Sequence, residues 1–262
     1  MAEHFRKHGL LARLAEAGFA VEDLGKVDIP DSPRHNIPPV RNYPLPALVW
    51  RNTAVFVERH ITDRDDALII CLGGDCSMAA GTVSGLMRVF PKDKLRLICL
   101  DGDVDSTVPD PEKCAGSAGM GLWFLTQKSD LWDSPGLPPS QIVVAGNKQP
   151  PDTNLGIPLF PLKELRETGI KTAAARILAG MPVDAHLAVH FDVDILAMSD
   201  MPAAYAPREQ GLTAAETEEL LGAVLADGRT RYLELSEFMP QKDPDGRFAK
   251  ILTGMLVRSL KR

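Results

Sequence analysis

The segment CLDGDVDSTVPD, residues 99–110, puts Asp101, Asp103 and Asp105 on alternate positions directly after the apolar run LRLICL. In an extended chain every second side chain points to the same side. Three carboxylates would then share one small volume, and like charges that close resist ionisation. Such a cluster calls for a bound cation or for raised pKa values. The pattern recurs along the chain. HLAVHF runs into Asp192 and Asp194, ALIICL into Asp75, Cys76 and Ser77, and RYLEL into Ser236 and Glu237. An aspartate after a strand is often a turn former or a helix cap, and that reading serves for Asp75, just ahead of a helical stretch. It does not serve for the alternate sets, because a cap needs one side chain. Oxygen donors of this kind suit manganese or magnesium, and two metals about 3.5–4 Å apart can share bridging carboxylates.

The elements that must position these residues are legible as alternating patterns. Apolar runs rich in Val, Ile and Leu predict strands over 19–25, 67–73, 95–101, 141–146, 156–161, 186–192 and 231–236. Continuous runs of this type fit strands buried on both faces, as in a parallel sheet covered by helices. Helical periodicity predicts helices over 4–17, 47–60, 77–89, 162–179, 214–226 and 247–260. TAAE at 213–216 has capping-box spacing. Strand–helix repetition implies right-handed crossovers and one doubly wound α/β domain over residues 1–262. Ligands of such sheets gather outside the carboxyl ends of the strands, which is where the polar residues stand. The proline-rich stretch 28–46 is expected to be an ordered, extended surface loop that could border a pocket.

Composition narrows the partners. The chain has 262 residues, 45% of them hydrophobic and 24% charged, with a net charge of -6. That balance does not favour a nucleic-acid partner. No apolar run approaches the roughly 18–20 residues of a membrane span, so no membrane partner is expected. The N-terminus lacks the apolar core and cleavage site of a signal peptide. The four cysteines, at 71, 76, 99 and 114, have no zinc-finger spacing, and Cys71 and Cys99 read as free thiols inside strands. Cytoplasm is the expected compartment.

GGDCS, DGDVD, FDVD and SEFMPQKDPDG, in this order and spacing, resemble the arginase/agmatinase/formiminoglutamase (ureohydrolase) superfamily. The resemblance runs from AGFAVEDLG to the C-terminal helix; the family's opening strand has no counterpart in it, which leaves one sheet position open. It implies a three-layer α/β/α domain with a mostly parallel sheet, assembled as a homotrimer or homohexamer. It also implies two Mn ions bridging a hydroxide that attacks a guanidinium or similar C=N carbon. Carried over by position, Asp101 and Asp192 would bridge the metals, Asp105 would complete one set and Asp194 the other. Cys76 stands at the family's first metal-binding histidine and Asp103 at its second, in the metal-binding and catalytic segment. Glu237 falls where the family places the carboxylate that grips the substrate guanidinium, a group whose charge and planarity suit a carboxylate. Ala118 replaces a third histidine, which assists proton transfer. His190, inside a strand, reads as a core or second-layer residue.

These substitutions leave five carboxylates and a thiol where the family has four aspartates and two imidazoles. An anionic ligand set weakens the metals as Lewis acids, and a thiolate softens one position enough to admit Zn, Co or Fe. Two functions are expected on this basis. One is a metal-dependent hydrolase of linear amidine-type C–N bonds, acting on a small guanidino, ureido or formimino substrate through the bridging hydroxide. The other is a non-catalytic relative, a partner subunit or binding protein with a degenerate metal site. Loops 106–118 and 147–155 are where a substrate's tail would be read.

Overall fold

In the computed structural model, which describes residues 1–61, 67–150 and 155–261, the chain opens with helices α1 (Ala2–Lys7) and α2 (Leu10–Glu16). A hairpin, β1 (His35–Ile37) and β2 (Val40–Tyr43), leads into α3 (Leu45–His60). Strand and helix then alternate through β3 (Ile69–Leu72), α4 (Met78–Leu86), β4 (Leu95–Leu100), α5 (Gly121–Thr126), β5 (Ile142–Ala145) and β6 (Leu159–Phe160). After α6 (Leu162–Thr168) and α7 (Ile170–Ala179) come β7 (His186–Asp192), α8 (Ala214–Leu225), β8 (Thr230–Ser236) and α9 (Arg247–Leu260).

The main sheet runs β3-β8-β7-β4-β5-β6, with every neighbouring pair parallel. From β4 the chain builds outward through β5 and β6, then returns to lay β7 on the other flank of β4. Strand order therefore reverses between β4 and β7, the place where an open parallel sheet forms a crevice at its carboxyl edge. The two strands that carry the aspartate sets are the two that flank it.

Helices cover both faces, giving a three-layer α/β/α domain. Ile98, Leu100, Val189, Phe191, Leu233 and Leu235 pack against α1, α2 and α6–α9, while Leu97, Ile142, Val144 and Tyr232 pack against α3, α4 and α5. Burial on both sides is what the unbroken apolar runs required. The Thr213–Glu216 capping box opens α8, with Thr213 N–H donating to Glu216 at 2.8 Å and Glu216 N–H donating to Thr213 Oγ1 at 3.2 Å. Among the described residues no helix is long and apolar enough to cross a membrane, and the four cysteines are free thiols.

Some elements differ from the sequence reading. The helices expected over 4–17 and 162–179 are each broken by a glycine at positive φ, Gly9 at 87° and Gly169 at 85°. The strand expected over 156–161 shrinks to Leu159–Phe160. No strand forms over 19–25. Phe19–Gly25 and Ala67–Leu72 both line one cavity, and 19–25 pairs with no strand of the sheet. Side chains hold it instead: Arg6 Nε and Nη2 each reach the Asp23 carboxylate at 2.8 Å, and Nη2 reaches the Gly25 carbonyl at 2.6 Å. The proline-rich stretch folds into the β1–β2 hairpin, with cis peptides at Pro38–Pro39 and Tyr43–Pro44.

Candidate metal centre

Two turns of the same construction place the aspartates. Asp101 continues β4 by one residue, its N–H donating to the Ala145 carbonyl at 3.0 Å. Its Oδ1 then accepts from Asp103 N–H at 2.7 Å, and Asp192 Oδ1 likewise accepts from Asp194 N–H at 2.7 Å. Each first aspartate thus satisfies the backbone of its own turn through Oδ1, and its Oδ2 is the oxygen nearer the other polar groups, His190 for Asp101 and Cys76 for Asp192. The chain bends after Asp101, so the extended alternation does not carry through to Asp103. That side chain lies at the rim, 35% exposed, paired with Arg208 at 2.9 Å. Asp105, at φ 50°, turns back inward, and its Oδ2 is buried with no hydrogen-bond partner among the described residues. Asp194 receives Gly102 N–H at 3.1 Å.

Cys76 enters from the turn before α4. Its Sγ donates to Asp192 Oδ2 at 3.0 Å and lies 3.4 Å from Ser236 Oγ. Its N–H donates to Glu237 Oε1 at 3.3 Å. Glu237 sits at φ 61° just past β8, a conformation uncommon outside glycine that aims the carboxylate at the turn. Asp75 is the turn residue it was read as: its Oδ1 accepts from Ser77 N–H at 3.0 Å and its Oδ2 from Ser117 Oγ at 3.2 Å.

Two sets of donor atoms come together, each within 4.8 Å: Cys76, Asp101 and His190 in one, and Asp101, Asp192 and Asp194 in the other. Cys76, Asp101, Asp192 and Asp194 are therefore brought together, whereas Asp103 and Asp105 fall outside both sets. A cavity of about 1780 Å³ runs along the free edge of β3; Glu237, Ala118 and Tyr205 line it, whereas Cys76, Asp101, Asp192 and Asp194 do not. Part of the anticipated substrate loop 147–155, residues 151–154, lies outside the described residues.

Two participants, Lys148 and Arg208, were not read from the sequence, and a third, His190, was read only as a core or second-layer residue. His190 is two residues before Asp192 on β7, hence on the same face, and it pairs in register with Glu234 of β8. That period-two relation was the available signal. Its Nδ1 lies 2.9 Å from Glu234 Oε1, and its Nε2 lies 3.2 Å from Ser236 Oγ and 3.9 Å from Asp101 Oδ2. Lys148, whose side chain is 1% exposed, donates from Nζ to the Asp194 carbonyl and lies 3.8 Å from Asp194 Oδ1. Arg208 holds Asp103. The two cations come from loops, where sequence spacing carries no such signal.

The electrostatics follow from burial. Asp101, Asp105 and Asp192 are held well above the ordinary carboxyl range, first by burial and then by one another's charge. Asp194 is raised too, by burial above all, although Lys148 opposes the shift. Burial and the same carboxylates push the Cys76 thiol well up. Burial opposes the charged form of His190, but the hydrogen bond and charge of Glu234 outweigh it and the net shift is upward. Glu237 is pushed up to about 7 by burial and then by Asp75. A divalent ion would favour the anionic form of every one of these acids. The donor chemistry fits one: thiol, imidazole and carboxylate are all metal-binding groups, and Asp105 Oδ2 is buried without a hydrogen-bond partner among the described residues.

The sequence pattern of the Arginase family matches residues 3–261 of this chain. Arginase from Agrobacterium fabrum is 29% identical over 271 aligned positions, covering 96% of this chain and 82% of that protein. Arginase-1 of Xenopus laevis is 31% identical over 127 residues, which take in 48% of this chain and 39% of that one. The solved arginase of Bacillus caldovelox superposes with a TM-score of 0.86 at 21% identity, over 100% of this chain and 91% of its own. With the match spanning nearly every residue and the crevice built where the fold demands, the chain belongs to the arginase family.

Proposed function

We propose that the protein is a divalent-metal-dependent hydrolase of linear amidine-type C–N bonds, acting on a small guanidino, ureido or formimino compound. The observation that carries this reading is the convergence of Cys76, Asp101, Asp192 and Asp194 donor atoms, with Glu237 bound to the Cys76 backbone at 3.3 Å. Cys76, Asp101, Asp105, Asp192 and Asp194 would hold the metals, and the oxygen-rich side suits manganese. When bound, such ions polarise the C=N carbon and make water acidic enough to attack it. Glu237 would receive the planar cation of the substrate through paired N–H···O bonds, its carboxylate steadied by the Cys76 N–H. Asp103, at the rim, would enter the metal-binding and catalytic set only by leaving Arg208. Assembly as a homotrimer or homohexamer belongs to the same reading.

A second reading has its own support. Lys148 and Arg208 already stand against Asp194 and Asp103, and Ala118 offers no imidazole for proton transfer. In that reading the chain's own cations stand in for part of the metal charge, and the protein is a non-catalytic arginase-like subunit or binding protein. A panel of guanidino, ureido and formimino compounds, assayed with Mn, Co, Ni and Zn from neutral to alkaline pH, separates the two. Release of urea, ammonia or a formamide product with any added metal supports the hydrolase. Metal uptake without turnover of any compound assigns the protein to the second reading.

A further inference from the structure

The crevice is asymmetric in its chemistry. One donor set, Asp101, Asp192 and Asp194, offers oxygen alone; the other, Cys76, Asp101 and His190, offers sulfur, oxygen and nitrogen. All three residues of the mixed set are buried, at 3% exposure each. Ser236 Oγ lies 3.4 Å from Cys76 Sγ and 3.2 Å from His190 Nε2, so one hydroxyl reaches both donors. Behind the ring, His190 Nδ1 meets Glu234 Oε1 at 2.9 Å, and the other Glu234 oxygen accepts from Thr82 Oγ1.

That is the arrangement of a metal-binding histidine. With the carboxylate accepting a hydrogen bond from Nδ1–H, the ring and the tautomer would be fixed and the Nε2 lone pair left for a metal; such partners are general around ligating histidines. Three protein donors of the Cys, His and Asp types, with a fourth position left open, make up the usual ligand count of a catalytic zinc site. Thiolate and carboxylate together balance the charge of a divalent ion. The oxygen-only set is less favourable, because Lys148 already stands 3.8 Å from Asp194 Oδ1.

We infer that Cys76, Asp101 and His190 form a tight site for a zinc-class ion, with Glu234 as the positioning residue for His190, and that the oxygen-only position binds a harder ion more weakly. The imidazole missing at position 76 is thus supplied from β7, two strands away from β3 in the sheet. This inference rests on the metal-centre reading for the presence of a divalent ion, and not on turnover.

Cobalt(II) and zinc(II) titration of the metal-stripped full chain tests it. Wild-type protein should take up one tightly bound cobalt with a thiolate-to-cobalt charge-transfer band, and zinc should displace it. Cys76→Ser should abolish the band. His190→Gln should weaken zinc and cobalt binding by at least tenfold, and Glu234→Gln by about 10–100-fold, the usual cost of losing such a partner. Manganese binding at the oxygen-only position should change much less in both. X-ray absorption at the zinc edge of the wild-type protein needs no variant, and should give one sulfur near 2.3 Å and a histidine nitrogen at about 2.0–2.1 Å. Unchanged zinc affinity in a folded His190→Gln protein, or an all-oxygen zinc environment in the wild type, would overturn the inference. A sulfur–nitrogen zinc site in a chain that hydrolyses nothing would uphold it and reject the hydrolase reading alone.

Discussion

At the scale of single residues, function is divided between groups that hold charge and groups that receive it. Glu237→Gln keeps the shape of the side chain and removes its charge. It should weaken binding of a guanidinium compound by about tenfold to a hundredfold, the worth of a charge-assisted hydrogen bond of about 1.5–3 kcal/mol, while metal content per chain stays the same. Isothermal titration alongside elemental analysis checks both halves, and equal loss of metal and ligand would remove the role given to Glu237. Lys148→Met takes away the buried cation beside Asp194. The metal-free variant should melt at lower temperature than wild type, and manganese should bind it more tightly and restore the loss. A variant with unchanged manganese affinity would contradict a competition between Lys148 and metal. The gathering of Asp101, Asp192 and Asp194 was legible because each set follows an apolar run and so stands at a strand end. His190 was not, because a histidine inside a strand has the same one-dimensional signature whether it fills a core or faces a ligand; its register with Glu234 exists only once the sheet is assembled.

At the scale of elements, the last helix is anchored by one aspartate. Asp243, buried at 1% exposure, accepts from Phe248 N–H at 2.9 Å and Ala249 N–H at 3.0 Å at the start of α9, and from His4 Nε2 of α1 at 3.0 Å. Asp243→Ala should cost about 1–3 kcal/mol, by the loss of a cap and the stranding of buried donors. Urea denaturation measures it, and metal content should not change, since Asp243 belongs to neither donor set. Six of the seven strands read from the sequence are present. The seventh, 19–25, illustrates the limit: an apolar run has strand propensity, but a strand exists only beside another backbone, and here the segment lines a cavity and joins no sheet. The helix breaks at Gly9 and Gly169 were in plain view as glycines, yet helical periodicity continues across them, so the pattern alone fused the pairs.

At the scale of the molecule, pH should act differently at the periphery and at the crevice. The Arg6 hydrogen bonds, followed by that of Gly25 N–H, hold the Asp23 carboxyl at about 2 against an ordinary 3.8. A carboxyl with a depressed pKa in the folded state stabilises the fold above its unfolded value and loses that contribution as pH falls through the folded one. The melting-temperature difference between wild type and Asp23→Asn should thus be full above about pH 4 and close as pH falls toward 2. A difference that grows on acidification would reverse the assignment.

The central claim is that the strand-end acids form a working metal centre. Elemental analysis of the full-length chain, purified without chelator and assayed in the same sample against the amidine panel, tests it most directly. At least one divalent ion per chain is expected, with chelator removing that ion and hydrolysis together and added metal returning both. A chain that is isolated metal-free, takes up no Mn, Co, Ni or Zn, and hydrolyses nothing with any of them present would contradict it.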